Sequence, residues 1–169
     1  GDLDLLTANG DNADYALTLK RYHGVRLYLN NGHNHFTEAY FFPLNGAYKA
    51  LSADFDGDGD LDIAAISFFA DFDRSPEEVF VYLENNGDLN FTPSTFAGSL
   101  QGRWLTMDVG DWDLDGDEDL LLGGKMGQDH QATPGPQVPD AIVGAVAHPS
   151  RSHDLTRRER RNGQHATGT

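Results

Sequence analysis

Two nine-residue acidic runs carry the chemistry of this sequence: Asp54-Phe55-Asp56-Gly57-Asp58-Gly59-Asp60-Leu61-Asp62 and Asp111-Trp112-Asp113-Leu114-Asp115-Gly116-Asp117-Glu118-Asp119. Each places Asp at its first, third, fifth and ninth positions and Gly at its sixth, and its seventh residue can offer a backbone carbonyl. A hard cation such as calcium takes about 6 to 8 oxygen ligands, so four carboxylates and one carbonyl, completed by water, suit one ion. Glycine at the sixth position permits the sharp turn that brings the ninth residue back toward the first. Oxygen-only donors disfavour zinc, and so many protein ligands leave little room for the water that magnesium retains. Without a cation the loop is costly. Two carboxylates about 5 Å apart repel by roughly 3 kcal/mol at an effective dielectric of about 20, and a set of four contains six such pairs. The loop must open, gain protons or bind a cation.

An EF-hand begins with the same Asp-x-Asp-x-Asp-Gly but also needs Glu at its twelfth position and a helix on each side. The twelfth residues here are Ala65 and Leu122, and both flanks are strand-like. Other chemistry is thin. His33 and His35 flank a turn without a Cys or third His at a ligand spacing, and read as a solvated pair. Asp71 with Asp73, and Asp11 with Asp14, read as polar loop tips rather than as a differentiated acid-base pair. There is no nucleophile elbow or phosphate loop, and no catalytic residue is expected.

The elements that position the loops emerge when the sequence is slid against itself. Gly59-Asp60-Leu61-Asp62-Ile63 matches Gly1-Asp2-Leu3-Asp4-Leu5 at an offset of 58 and Gly116-Asp117-Glu118-Asp119-Leu120 at an offset of 57. Between the loops, Val25-Arg26-Leu27-Tyr28-Leu29 followed by Asn30-Asn31-Gly32 and Phe36-Thr37 matches Val79-Phe80-Val81-Tyr82-Leu83 followed by Asn85-Asn86-Gly87 and Phe91-Thr92. Each period holds about four short strand candidates, the content of one propeller blade. In the middle copy strands are expected at Tyr48 to Ala53, Leu61 to Phe69, Val79 to Leu83 and Asn90 to Phe96. The acidic loop joins the first to the second, and Asn85-Asn86-Gly87 joins the third to the fourth as an Asn-Gly hairpin. Val79 to Leu83 is apolar throughout, as expected of a strand covered on both faces, and the small Ala64 and Ala65 suit a crowded axis. Trp104, Trp112, Tyr28 and Tyr82 read as core or inter-blade packing.

The expected fold class is therefore all-β, a β-propeller fragment of about two to three four-stranded antiparallel blades. These occupy residues 1–126, with the first and last blades incomplete. Closed rings take about 4 to 8 blades, so the remaining blades are expected outside this chain. The first copy enters midway through its loop, which leaves a third site truncated at Asp2 and Asp4. Residues 127–169 turn Pro- and Arg-rich, with Pro134-Gly135-Pro136 and Arg157-Arg158-Glu159-Arg160-Arg161. They are expected to form a disordered tail that lacks the third blade's outer strands.

The formal charge of −15 is concentrated in the repeat region, where residues 1–129 hold 24 Asp and Glu against 7 Lys and Arg. Such a body repels nucleic-acid phosphates and anionic lipid, so neither is an expected partner. No apolar run approaches the roughly 20 residues of a membrane span. The absence of Cys excludes disulfides and thiolate metal sites.

The stretch Asp54 to Ile63, with Val79 to Gly87 and Phe91-Thr92, resembles the FG-GAP/VCBS repeat, which is related to the propeller of integrin α chains. The resemblance runs from residue 1 to about 124. It implies calcium in about two sites, held by Asp54, Asp56, Asp58 and Asp62 with the Asp60 carbonyl, and by Asp111, Asp113, Asp115 and Asp119 with the Asp117 carbonyl. It also implies a non-enzymatic, extracellular or cell-surface module for adhesion or recognition, whose calcium-stiffened blades present loops to a protein or glycan ligand. The other reading is a propeller of a secreted polysaccharide lyase or glycosidase whose catalytic residues sit in other blades; fold alone does not separate the two.

Overall fold

Short apolar runs punctuated by Gly- and Asp-rich turns fold as strands, and in the computed structural model, which describes residues 2–10, 19–125 and 142–147, ten are formed. These are β1 (Leu5–Asn9), β2 (Gly24–Asn30), β3 (Phe36–Pro43), β4 (Ala47–Ala53), β5 (Asp62–Ser67), β6 (Phe80–Asn85), β7 (Phe91–Ser94), β8 (Arg103–Gly110), β9 (Asp119–Lys125) and β10 (Ile142–Ala147). Short 3-10 turns at Pro76–Val79 and Ser99–Gln101 interrupt the connections. Three antiparallel sheets result, ordered β1-β2-β3, β4-β5-β6-β7 and β8-β9-β10, each a meander of strands adjacent in sequence. The middle sheet is a complete four-stranded blade, and its strands match the expected ones to within three residues at each end. The fold is an all-β propeller fragment.

Successive sheets stack face to face, with β4 lying between β1 and β8. One core fills the space between the first and middle sheets, with Val25, Leu44, Ile63, Ala65, Val81 and Leu83 at its centre. The other fills the space between the middle and third sheets, around Phe55, Ile66, Phe80, Tyr82, Trp104 and Met107. Strand β5 is buried at every position because it feeds both: Ile63 and Ala65 face one core, Ala64 and Ile66 the other. A strand covered on both faces needs no polar alternation, which is why its sequence shows none.

The structure corrects the expected alignment of the copies by one residue. β5 pairs Ile63 with Leu83, whereas β1 pairs Leu5 with Tyr28, so Tyr28 stands where Leu83 stands and Leu27 where Tyr82 stands. In a strand a shift of one residue exchanges faces. Tyr82 is accordingly buried in the core toward the third sheet, while Tyr28 is half-buried and joins neither core. Trp104 is buried as expected, but Trp112 is 52% exposed. The hairpin is also longer than a two-residue Asn-Gly turn. Gly87, Asp88 and Leu89 all have positive φ, and Asn86 N–H donates to the Asn90 carbonyl at 3.0 Å while Asn90 N–H donates to that of Gly87 at 3.0 Å.

A third strand for the last sheet, expected to be missing, is supplied from within the 127–169 segment. β10 pairs along β9 from Ile142 opposite Lys125 to Ala147 opposite Leu120. Ile142-Val143-Gly144-Ala145-Val146-Ala147 is an uncharged run with three β-branched residues, a composition that favours a strand. The rest of the expected tail, residues 127–141 and 148–169, lies outside the described residues, as do Asp11 and Asp14.

Candidate metal centre

Both acidic loops form the same local structure, because short Asp side chains bond to backbone N–H groups a few residues ahead. In the first loop, β4 to β5, Asp54 accepts from the N–H of Gly57 at 2.9 Å and of Gly59 at 3.1 Å. Asp56 accepts from Asp58 N–H at 3.2 Å, and Asp58 from Asp60 N–H at 2.9 Å. In the second, β8 to β9, Asp111 accepts from the N–H of Asp115 at 3.0 Å and of Gly116 at 3.1 Å, and Asp115 from Asp117 N–H at 3.2 Å. The sixth residues, Gly59 and Gly116, have φ of +98° and +95°, the left-handed backbone that glycine supplies without strain.

These bonds draw the first, third and fifth side chains together. Carboxylate oxygens of Asp54, Asp56 and Asp58 lie within 4.8 Å of one another, and those of Asp111, Asp113 and Asp115 do the same. The seventh and ninth residues behave differently. Asp60 gives its N–H to Asp58, and its carboxylate lies over the hairpin glycine, where a Cβ on Gly87 would meet its Oδ2 at 3.7 Å. Asp62 is wholly buried and sits beneath the loop as an acceptor hub. Its Oδ2 accepts from Phe55 N–H at 3.2 Å and from the Tyr82 hydroxyl at 2.6 Å, and its Oδ1 accepts from Asn85 N–H at 2.8 Å. Asp119 is buried in the same way and accepts from Trp112 N–H at 3.1 Å. The truncated copy repeats the arrangement: Asp4 Oδ1 accepts from Asn30 N–H at 2.8 Å, and a Cβ on Gly32 would meet Asp2 Oδ2 at 3.0 Å.

The partners of Asp62 were not singled out by its own motif. Tyr82 read as packing and Asn85 as part of a turn. The signal was the recurrence of Asn as the first residue of both Asn-Asn-Gly segments: Asn30 Nδ2 donates to Leu3 O at 3.1 Å and Asn85 Nδ2 to Leu61 O at 3.2 Å, so each clamps the acidic loop behind it.

The donor set fits a hard cation. Three convergent carboxylates offer oxygen alone, and Asp62 uses three of its roughly four lone-pair directions, leaving one. Loss of hydration raises the Asp56 carboxyl above its ordinary value of 3.8; the Asp58 N–H bond opposes this, and the charges of Asp62, Asp58 and Glu84 reinforce it. Asp113 is raised in the same direction, by lost hydration first and then by the adjacent Asp115 and by Asp119.

The sequence and this geometry coincide with a known pattern: the model of the FG-GAP-like repeat matches the chain twice, over residues 1–65 and 54–122. The chain belongs to the FG-GAP-like repeat family. The two matches overlap on the loop Asp54 to Asp62, which ends one repeat and opens the next. No curated protein and no solved structure matches the chain. Among the described residues, no helix is long and apolar enough to cross a membrane. The FG-GAP-like repeats thus form a propeller-type module whose two Asp triads can hold a metal ion.

The raised carboxyls make a pH prediction with a definite sign. A carboxyl whose pKa is higher folded than unfolded favours the metal-free fold below the unfolded pKa, and that contribution is lost as pH rises through the folded pKa. A bound cation requires the ionised form and reverses the effect. Any rise in melting temperature that a divalent cation such as calcium produces should therefore grow from about pH 4 to about pH 7. Thermal melts with calcium and with chelator across that range check it, and a constant difference would refute it.

Proposed function

We propose that these FG-GAP-like repeats are a calcium-binding, non-catalytic module of the extracellular space, in which the ion stiffens each blade so that loops can be presented to a protein or glycan partner. The observation that carries this reading is the convergence of Asp54, Asp56 and Asp58 within 4.8 Å, repeated at Asp111, Asp113 and Asp115. Asp54, Asp56, Asp58 and Asp62 would hold the first ion, and Asp111, Asp113, Asp115 and Asp119 the second, with the carbonyls of Asp60 and Asp117 completing each set. The bound ion would supply charge neutralisation and a cross-link between the end of one strand and the start of the next.

In this reading, stiffening and presentation belong to opposite ends of the sheets. The acidic loops and the Asn-Asn-Gly hairpins share one end of the sheets, as the approach of Asp60 to Gly87 shows. The β5–β6 and β7–β8 connections lie at the other end, where Arg103 stacks between Phe68 at 5.6 Å and Phe72 at 4.7 Å. We assign partner recognition to that end. The extracellular assignment rests on the weak calcium affinity usual in such modules, a Kd of about 10⁻⁴ to 10⁻³ M, which needs plentiful calcium.

Titration calorimetry should find about two calcium ions per chain, with little heat from magnesium at the same concentration. Asp56→Ala combined with Asp113→Ala should abolish the binding heat. A folded wild-type chain that gives no heat with calcium would overturn the assignment.

A further inference from the structure

The two complete loops are alike in motif but differ in what holds the ninth aspartate. Asp62 Oδ2 accepts from the Tyr82 hydroxyl at 2.6 Å in a buried setting. The Tyr82 ring meets that of Phe55, the second residue of the same loop, edge-on at 6.0 Å, and both rings belong to the core shared with the third sheet. Tyr82 pairs across the sheet with Ala64, two residues after Asp62. The corresponding position in the first sheet is Leu27, opposite Leu6, and in the third it is Val146, opposite Leu121. Neither residue type has a hydroxyl. Of the three aspartates Asp4, Asp62 and Asp119, Asp62 alone has a tyrosine at this register position.

From this juxtaposition we infer that Tyr82 is a positioning residue for the 54–62 loop: its hydroxyl fixes the Asp62 carboxylate for metal binding and links occupancy of that loop to packing between the middle and third sheets. A carboxylate restrained in advance loses less freedom when it ligates, and partners behind a ligand commonly alter metal affinity by about 10- to 100-fold. Asp62 is already restrained by the N–H groups of Phe55 and Asn85, so the hydroxyl contributes at the lower end of that range. Among the described residues no tyrosine stands at the matching register position beside Asp119, so the 54–62 loop should bind calcium the more tightly of the two.

The inference rests on the calcium reading and is tested in chains that retain one loop each. In the Asp113→Ala chain, Tyr82→Phe keeps the ring and removes the hydroxyl, and calorimetry should show the calcium Kd of the 54–62 loop rising about tenfold. In the Asp56→Ala chain, the same change should leave the 111–119 loop within about twofold. A structural role alone would lower the melting temperature without this selectivity. Equal shifts at both loops, or none at 54–62, would overturn the proposal, and absence of calcium binding in both single-loop chains would overturn the calcium reading itself. Should Tyr82→Phe fail to fold, nuclear magnetic resonance of the wild-type chain decides. The Tyr82 ring signals should shift in step with the Gly59 amide as calcium is added, and a ring unmoved at saturation would refute the linkage.

Discussion

Asp62→Ala is expected to destabilise the metal-free chain by about 3 kcal/mol or more, because it strands three buried donors at once and each unsatisfied donor costs about 1 to 3 kcal/mol. The donors are Phe55 N–H, Asn85 N–H and the Tyr82 hydroxyl, which belong to the loop, the start of the hairpin and the core. Asp58→Ala offers the contrast. Asp58 is exposed and accepts one bond, from Asp60 N–H at 2.9 Å, so its loss should cost about 1 kcal/mol or less in the metal-free chain. Both substitutions should remove calcium binding from the first loop. Urea denaturation in chelator separates the two aspartates, and an Asp62→Ala midpoint close to the wild-type value would show that the buried hub is dispensable.

That difference marks how far the sequence could be read. The spacing of aspartates around Gly59 and Gly116 located both loops, because a left-handed sixth residue and side chains that reach forward to N–H groups are local properties. The repeat located the strands for a similar reason: runs such as Val79 to Leu83 announce burial on two faces. What stayed hidden depends on contacts across strands. The motif gives Asp62 the same letter as Asp58, and only the approach of β6 makes one a buried hub and the other an exposed donor of oxygen. Likewise, aligning Tyr28 with Tyr82 maximised letter matches, whereas pairing across β1 and β5 places them on opposite faces. β10 is not legible in the sequence because Pro134-Gly135-Pro136 before it and the Arg cluster after it dominate the composition, while one short apolar run carries the pairing.

Phe55 and Trp112 occupy the second position of their loops, yet Phe55→Ala should cost about 3 to 5 kcal/mol and Trp112→Ala about 0.5 kcal/mol or less. Phe55 is fully buried among Tyr82, Trp104, Met107, Leu120 and Leu122, all within the core between the middle and third sheets. Trp112 sits on the third sheet, 52% exposed, with none of the described sheets stacked over it. Burial at this position is therefore decided by a neighbouring blade and not by the loop. Denaturant melts of the two variants in chelator test this, and equal losses would refute it. Calcium sharpens the case. Because Phe55 N–H holds Asp62 while its ring anchors the third sheet, truncating the ring should also reduce the stabilisation that calcium gives through the first loop. The same residue would then join the ion to the stacking of the blades, and a calcium-induced rise in melting temperature as large in Phe55→Ala as in the wild type would separate the two.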